Sequence, residues 1–272
     1  MARAQKNNPG RLLSIIVPVY KQERTIQKDI QRITKALSKT HHAFEIIIVV
    51  DGNVDRSLEK ASRCKSRLIK VVGYETNHGK GYAVRYGMVR AKGDLIGFID
   101  AGMDLNPAGI SLLLDYFQLT DCDIVVGSKL HKLSKVRYPW QRKVLSWGYR
   151  TLVRVLFGLT ITDTQVGLKV FKRKVLEDVF PRLLVKRYAF DIEVLAVAYR
   201  LGYQKIYAAP IDLSFTGWSS ITSKNFWKEI SHMLWDTCAV FYRIYVLHYY
   251  DNGSRRKWRY DPELNFKINV ID

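Results

Sequence analysis

Apolar positions along the chain follow two alternating patterns. Short continuous runs rich in β-branched residues occur at 14–18, 45–50, 68–74, 95–100 and 124–127, as in strands covered on both faces. Between them, 23–39, 81–91 and 107–119 repeat apolar residues at helical spacing. This βαβ alternation predicts an α/β fold built on one mainly parallel, Rossmann-type sheet flanked by helices. Such sheets bind ligands beyond the carboxyl ends of their strands. Asp51 closes the second run and Asp100 the fourth.

The pattern then changes. Residues 124–162 carry Lys129, Lys132, Lys135, Arg137, Arg142, Lys143, Arg150 and Arg154 and no acid. On a helix, Lys143, Arg150 and Arg154 form one narrow stripe, with Trp147 and Phe157 beside it and aliphatic residues around the rest. A second amphipathic stretch, 226–250, sets Glu229, His232, Asp236 and Arg243 against a broad face rich in Trp235, Phe241, Tyr242 and Tyr245. Two such helices point to an anionic membrane surface met from one side. Asp236 and Arg243 interrupt 233–250, so a buried or surface-lying helix is expected there rather than a span. The expected division is 1–225, which includes the basic segment 129–157, and 226–272, a C-terminal helix and tail.

The formal charge of +19 over 272 residues calls for a polyanionic partner: a membrane face, a phosphorylated substrate or nucleic acid. No nucleic-acid-binding module accompanies the charge, so nucleic acid is not expected. Cys64, Cys122 and Cys238 are widely spaced and match no metal-ligand pattern, as in a reducing compartment. Residues 1–10 are polar and the run 12–20 contains Pro18, so no secretory leader is expected. The expected location is the cytoplasm, peripherally attached to membrane.

Four short motifs occur in order at the predicted strand ends: Pro18-Val19-Tyr20, Asp51-Gly52-Asn53-Val54-Asp55, Asn77-His78-Gly79-Lys80-Gly81 and Asp100-Ala101. Together they resemble the family 2 inverting glycosyltransferases of GT-A fold. Further on, Asp163-Thr164-Gln165-Val166-Gly167-Leu168-Lys169 and Arg187-Tyr188-Ala189-Phe190-Asp191-Ile192-Glu193 resemble the acceptor side of polyprenyl-phosphate sugar transferases. Dolichyl-phosphate β-glucosyltransferases are the nearest kind and dolichyl-phosphate mannosyltransferases a related one.

The resemblance implies an enzyme that moves a hexose from a nucleotide sugar to a polyprenyl phosphate, with glucose from UDP-glucose first and mannose from GDP-mannose as the alternative. It also implies roles. Pro18, Tyr20, Gln22, Val49, Asp51, Lys80, Asp100, Ala101 and Lys129 would bind the nucleotide sugar. Asp163 would act at the reaction centre with Asp100. Arg137, Lys143, Arg150, Arg154, Gln165 and Lys169 would meet the acceptor phosphate or the membrane. A divalent cation, Mg²⁺ or Mn²⁺, would sit on Asp100.

Some positions depart from the family pattern. The usual Asp-x-Asp has Gly102 in its third place, leaving Asp104 as the other candidate ligand. Gln22 replaces a usual glutamate. Where mannosyltransferases carry a basic residue after a late Gly-x-Ser, this chain reads Gly217-Trp218-Ser219-Ser220. A non-catalytic, membrane-binding relative is therefore a further alternative. Asp191 and Glu193 lie in an apolar stretch, where buried carboxylates need partners; an orienting role is expected for them.

Overall fold

A computed structural model describes residues 11–102, 104–137, 140–159, 161, 163–187, 189–214, 226–253, 257–262, 264 and 266–270. The β-branched runs form strands β1 (Leu13–Val19), β2 (Phe44–Asp51), β3 (Ile69–Tyr74), β4 (Leu95–Ile99) and β5 (Ile124–Ser128). Short strands β6 (Lys135–Arg137) and β9 (Asp212–Ser214) pair with each other, and β7 (Leu168–Lys172) and β8 (Ile206–Pro210) complete the main sheet. The helices are α1 (Ile26–Leu37), α2 (Ser57–Ser62), α3 (Lys80–Met88), α4 (Gly109–Leu119), α5 (Trp140–Phe157), α6 (Arg173–Val179), α7 (Phe190–Arg200) and α8 (Phe226–Tyr245).

The seven main strands lie in the order β3-β2-β1-β4-β7-β5-β8. All neighbours are parallel except β7, which runs antiparallel to both β4 and β5. The chain moves outward from β1 to β3 and then returns to the other side of β1 as β4, so a switch point opens between β1 and β4. That is where such sheets form a crevice. Because β7 is reversed, its entering end lies on the same edge as the leaving ends of its neighbours, which delivers residues 163–167 to the crevice.

Strand side chains alternate between two cores. Ile15 and Val17 pack in one with Ile46, Ile48 and Val50 beneath α1 and α4, and Ile16, Ile47 and Val49 pack in the other with α3 and α7. Helices α5 and α8 join the second core through Tyr149, Val153 and Phe157 and through Val240 and Ile244. Their junction includes a 2.8 Å hydrogen bond between the hydroxyls of Tyr149 and Thr237. Among the described residues no helix is long and apolar enough to cross a membrane. The region expected to be a tail contains an antiparallel hairpin, β10 (Lys257–Asp261) with β11 (Phe266–Val270).

Candidate active site

Asp51, the last residue of β2, is buried, and its carboxylate organises the next loop but one. Its oxygens accept the N–H groups of His78 at 2.8 Å and Gly79 at 2.9 Å, and the amide of Asn77 at 3.0 Å. Three donors aimed at one carboxylate fix the turn that opens α3. Gly79 can close that turn because it takes φ +95°, and a Cβ there would stand 2.5 Å from the carbonyl oxygen of Lys186. The same oxygen accepts the N–H of Gly81 at 2.8 Å, so the start of α3 is pinned to the loop before α7.

Lys80 therefore starts α3 with its ammonium in the crevice. Its Nζ lies 2.8 and 3.1 Å from the two oxygens of Asp100 and 3.0 Å from Asp191 Oδ2. Asp191 in turn accepts from Lys169 Nζ at 2.5 Å, and that ammonium also donates to the carbonyl of Val166 at 2.7 Å. Asp100, Lys80, Asp191 and Lys169 thus form a chain of alternating sign. The Asp100 side chain is 42% exposed, that of Asp191 6% and that of Lys169 0%, so the chain runs from the mouth into the core. Burial opposes ionisation of Asp191, yet the ammonium groups of Lys169 and Lys80 outweigh it and hold its carboxyl below the ordinary range. Burial pulls Lys169 below the ordinary lysine value, with Asp191 acting against that pull.

The segment before β7 supplies the facing wall. Asp163 is buried, and its Oδ2 accepts the backbone N–H of Lys129 at 2.8 Å while its Oδ1 lies 3.7 Å from Lys129 Nζ. Lys129 follows the last residue of β5, so Asp163 ties two strand ends together and holds a cation between them. Gln22, after β1, stands across from Gly102, whose N–H donates to Asp29 Oδ2 at 3.2 Å. Gly102 has φ +98°, so a residue with a side chain there would meet the Gln22 amide at ordinary contact distance, 3.6 Å, but a strained backbone. Tyr20 is exposed and Pro18 half-buried at the same edge. Ala101 and Asp104 are half-buried in the Asp100 loop, where Asp104 accepts the N–H of Ser214 through its carbonyl. Among the described residues no cluster of three or more His, Cys, Asp or Glu could by itself hold a metal ion.

The family profile described as glycosyl transferase family 2 matches residues 14–180, which carry every strand end of this crevice. The chain belongs to this family. A dolichyl-phosphate beta-glucosyltransferase of Drosophila melanogaster is 31% identical over 72% of this chain and 65% of its own length. One from Dictyostelium discoideum is 30% identical over 70% and 62%. The chain thus spans somewhat under two thirds of these two relatives. Among solved structures, glucosyl-3-phosphoglycerate synthase of Mycobacterium tuberculosis, in complex with Mn²⁺, UDP and glucosyl-3-phosphoglycerate, superposes with TM-score 0.63 at 19% identity. That match covers 92% of this chain and 85% of the other. The fold is that of the GT-A glycosyltransferases.

Not every residue expected at a family 2 donor or acceptor site lines the crevice. Val49, expected in the donor site, has a fully buried side chain that packs in the core beneath α3. Lys169, expected at the acceptor phosphate or the membrane, lies at the sealed end of the charge chain. Phe157, expected at a membrane boundary, is buried at 3% and faces Phe241. Gln165 is half-buried and reaches Met233 of α8. Arg154 is exposed and Arg150 half-buried, with Nη1 enclosed. The side chains of Arg137 and Lys143 lie outside the described residues, as do Gly217, Trp218, Ser219 and Ser220.

Two residues matter more than the sequence suggested. Gly167 lies flat against the Asp100 carboxylate. Glu193 accepts the N–H groups of Leu184 and Val185 and the hydroxyl of Tyr250. It thereby links the C-terminal turn to the loop that pins α3. A glycine in an otherwise bulky segment was the only local signal for the first; nothing local names Tyr250 as the partner of the second.

Proposed function

We propose that this chain transfers glucose from UDP-glucose, with inversion, to the phosphate of a polyprenyl lipid at a membrane surface. The observation that carries the reading is the open Asp100 carboxylate backed by Lys80, at the switch point of a family 2 chain. The glucosyltransferase relatives support glucose over mannose as the transferred sugar.

In the reaction, an oxygen of the lipid phosphate attacks the anomeric carbon from the face opposite the diphosphate. The new carbon–oxygen bond forms as the bond to the diphosphate breaks, and its electron pair leaves with UDP. A phosphate acceptor is already ionised near neutral pH, so no strong base is required. Asp163 keeps Lys129 in place, and Lys129 meets a phosphate. Asp51 holds the loop 77–79 against the donor.

The residues present fit a divalent cation in a limited way. Asp100 offers one hard oxygen donor that opens to the crevice, and a cation, the Lys80 ammonium, already rests against it. Bound Mn²⁺ or Mg²⁺, as in the mycobacterial synthase, would neutralise charge that develops on the departing diphosphate. Asp100 would hold it, with the donor phosphates and water as the remaining ligands.

Attachment to membrane is supported by what α5 and α8 leave outside. Trp147 is 64% exposed, Val155 78% and Trp235 76%. Trp147 and Val155 stand on α5, which also carries Arg150 and Arg154, and Trp235 stands on α8 beside it, a combination suited to anionic headgroups. The reading as a whole is tested by assaying transfer from nucleotide sugars to polyprenyl phosphate.

A further inference from the structure

We propose that Lys80 is a resident counter-cation which a divalent metal must displace from Asp100, and that Asp191 receives the displaced ammonium. The inference rests on the reading of Asp100 as the cation-holding carboxylate. Lys80 Nζ approaches both oxygens of Asp100, at 2.8 and 3.1 Å, so a second cation at this carboxylate meets the charge of the ammonium while the ammonium stays. The same nitrogen is already 3.0 Å from Asp191 Oδ2. Retreat from Asp100 therefore needs only a small side-chain movement and no loss of an acidic partner.

The surroundings favour that direction. Backbone movement is barred, because Gly79 and Gly81 are both locked against the carbonyl of Lys186. The Phe98 ring lies 5.2 Å from Lys80 Nζ and 5.3 Å from Lys169 Nζ and lines the side of the path. Repulsion by an arriving dication drives the ammonium inward. Lys169 keeps Asp191 ionised and ready to accept it. At the mouth, Gly102 supplies no second acid, so occupancy by metal depends on competition with Lys80 and on the oxygens of the donor diphosphate. The device keeps Asp100 neutralised until donor and metal arrive together.

The test reads Mn²⁺ binding to the purified full chain by the electron paramagnetic resonance of free Mn²⁺, first without and then with UDP. Lys80→Met and Lys80→Gln should each bind Mn²⁺ roughly ten-fold more tightly than wild type when UDP is absent. Asp100→Asn should abolish binding in either condition. If both Lys80 variants match wild type or bind more weakly while Asp100→Asn abolishes binding, the competition is wrong and the Asp100 reading stands. If wild type and Asp100→Asn bind alike with UDP present, both fail. A measurement on wild type guards against misfolded variants: the ¹⁵N signal of the Lys80 ammonium should shift saturably with added Mg²⁺ and UDP. An unmoved signal under saturation overturns the proposal.

Discussion

Gly167 and Asp100 are in direct apposition: a Cβ on residue 167 would stand 1.9 Å from Asp100 Oδ2. The backbone N–H of Asp100 also donates to the carbonyl of Gly167 at 2.9 Å, so the end of β4 and the entry to β7 are fastened together. Replacing Gly167 by alanine should swing the carboxylate away from Lys80. Turnover is expected to fall about 100-fold, the usual effect of misplacing a reacting group by about 1 Å. Circular dichroism should remain that of wild type. An alanine variant with unimpaired turnover would show that the position of Asp100 is not critical.

Asp163 acts on Lys129, and the two should behave as one unit. Asp163→Asn retains an oxygen for the Lys129 N–H but loses the charge beside its ammonium. It should lower turnover by about 10- to 100-fold and leave UDP affinity, measured by calorimetry, close to wild type. Lys129→Met should cost a similar factor, and the double variant little more than either single one. Full additivity would separate the two residues.

Glu193 makes the fold less stable as pH rises. Burial raises its carboxyl above the ordinary value, against the hydrogen bonds from Tyr250, Leu184 and Val185. A raised pKa means that the folded state holds the proton more tightly. The contribution is therefore fully present below the unfolded value, about 4.3, and is lost as pH rises through the folded one. Compared with Glu193→Gln, which does not titrate, wild type should lose stability as pH climbs from about 4. Urea midpoints for both proteins across that range provide the measurement, and a constant difference contradicts the shift. Tyr250→Phe should cost about 1–3 kcal/mol, because it removes the hydroxyl donor from a buried carboxyl oxygen that then keeps only the Leu184 N–H.

The parallel core was legible because strands buried on both faces must be continuously apolar, which placed Asp51 and Asp100 at strand ends. The same continuity hid which side chains reach the edge: that of Val49 faces the core, while the Asp51 carboxylate meets the loop 77–79. The reversal of β7 had no local signature, since its partners β4 and β5 are distant in sequence. Lysines were harder still. Lys169 on an apolar strand carries no local sign of its partner, and only the fold brings Asp191 to it across 22 residues and Lys80 to Asp191 across 111. On α5 the helical period was read correctly but its orientation was not: Tyr149, Val153 and Phe157 turn inward, leaving Trp147 and Val155 outside.

Membrane attachment should follow that orientation. Each cation near an anionic surface contributes about 1 kcal/mol, so charge needs support from apolar burial. Co-sedimentation with anionic liposomes should fall when Trp147, Val155 and Trp235 become serine. It should fall separately when Arg150 and Arg154 become glutamine or when salt is raised. Phe157→Ser should instead lower thermal stability, because that ring is in the core. Wild-type protein that stays in the supernatant at low salt would contradict the attachment.

Glucosyl transfer is measured by incubating purified protein with polyprenyl phosphate and labelled UDP-glucose, UDP-galactose or GDP-mannose in the presence of Mg²⁺ or Mn²⁺. Transfer of label from UDP-glucose into a butanol-extractable lipid phosphate sugar of β configuration, lost in Asp100→Asn, is the predicted result. Absence of transfer from all three donors, under conditions where a control transferase works, would contradict it.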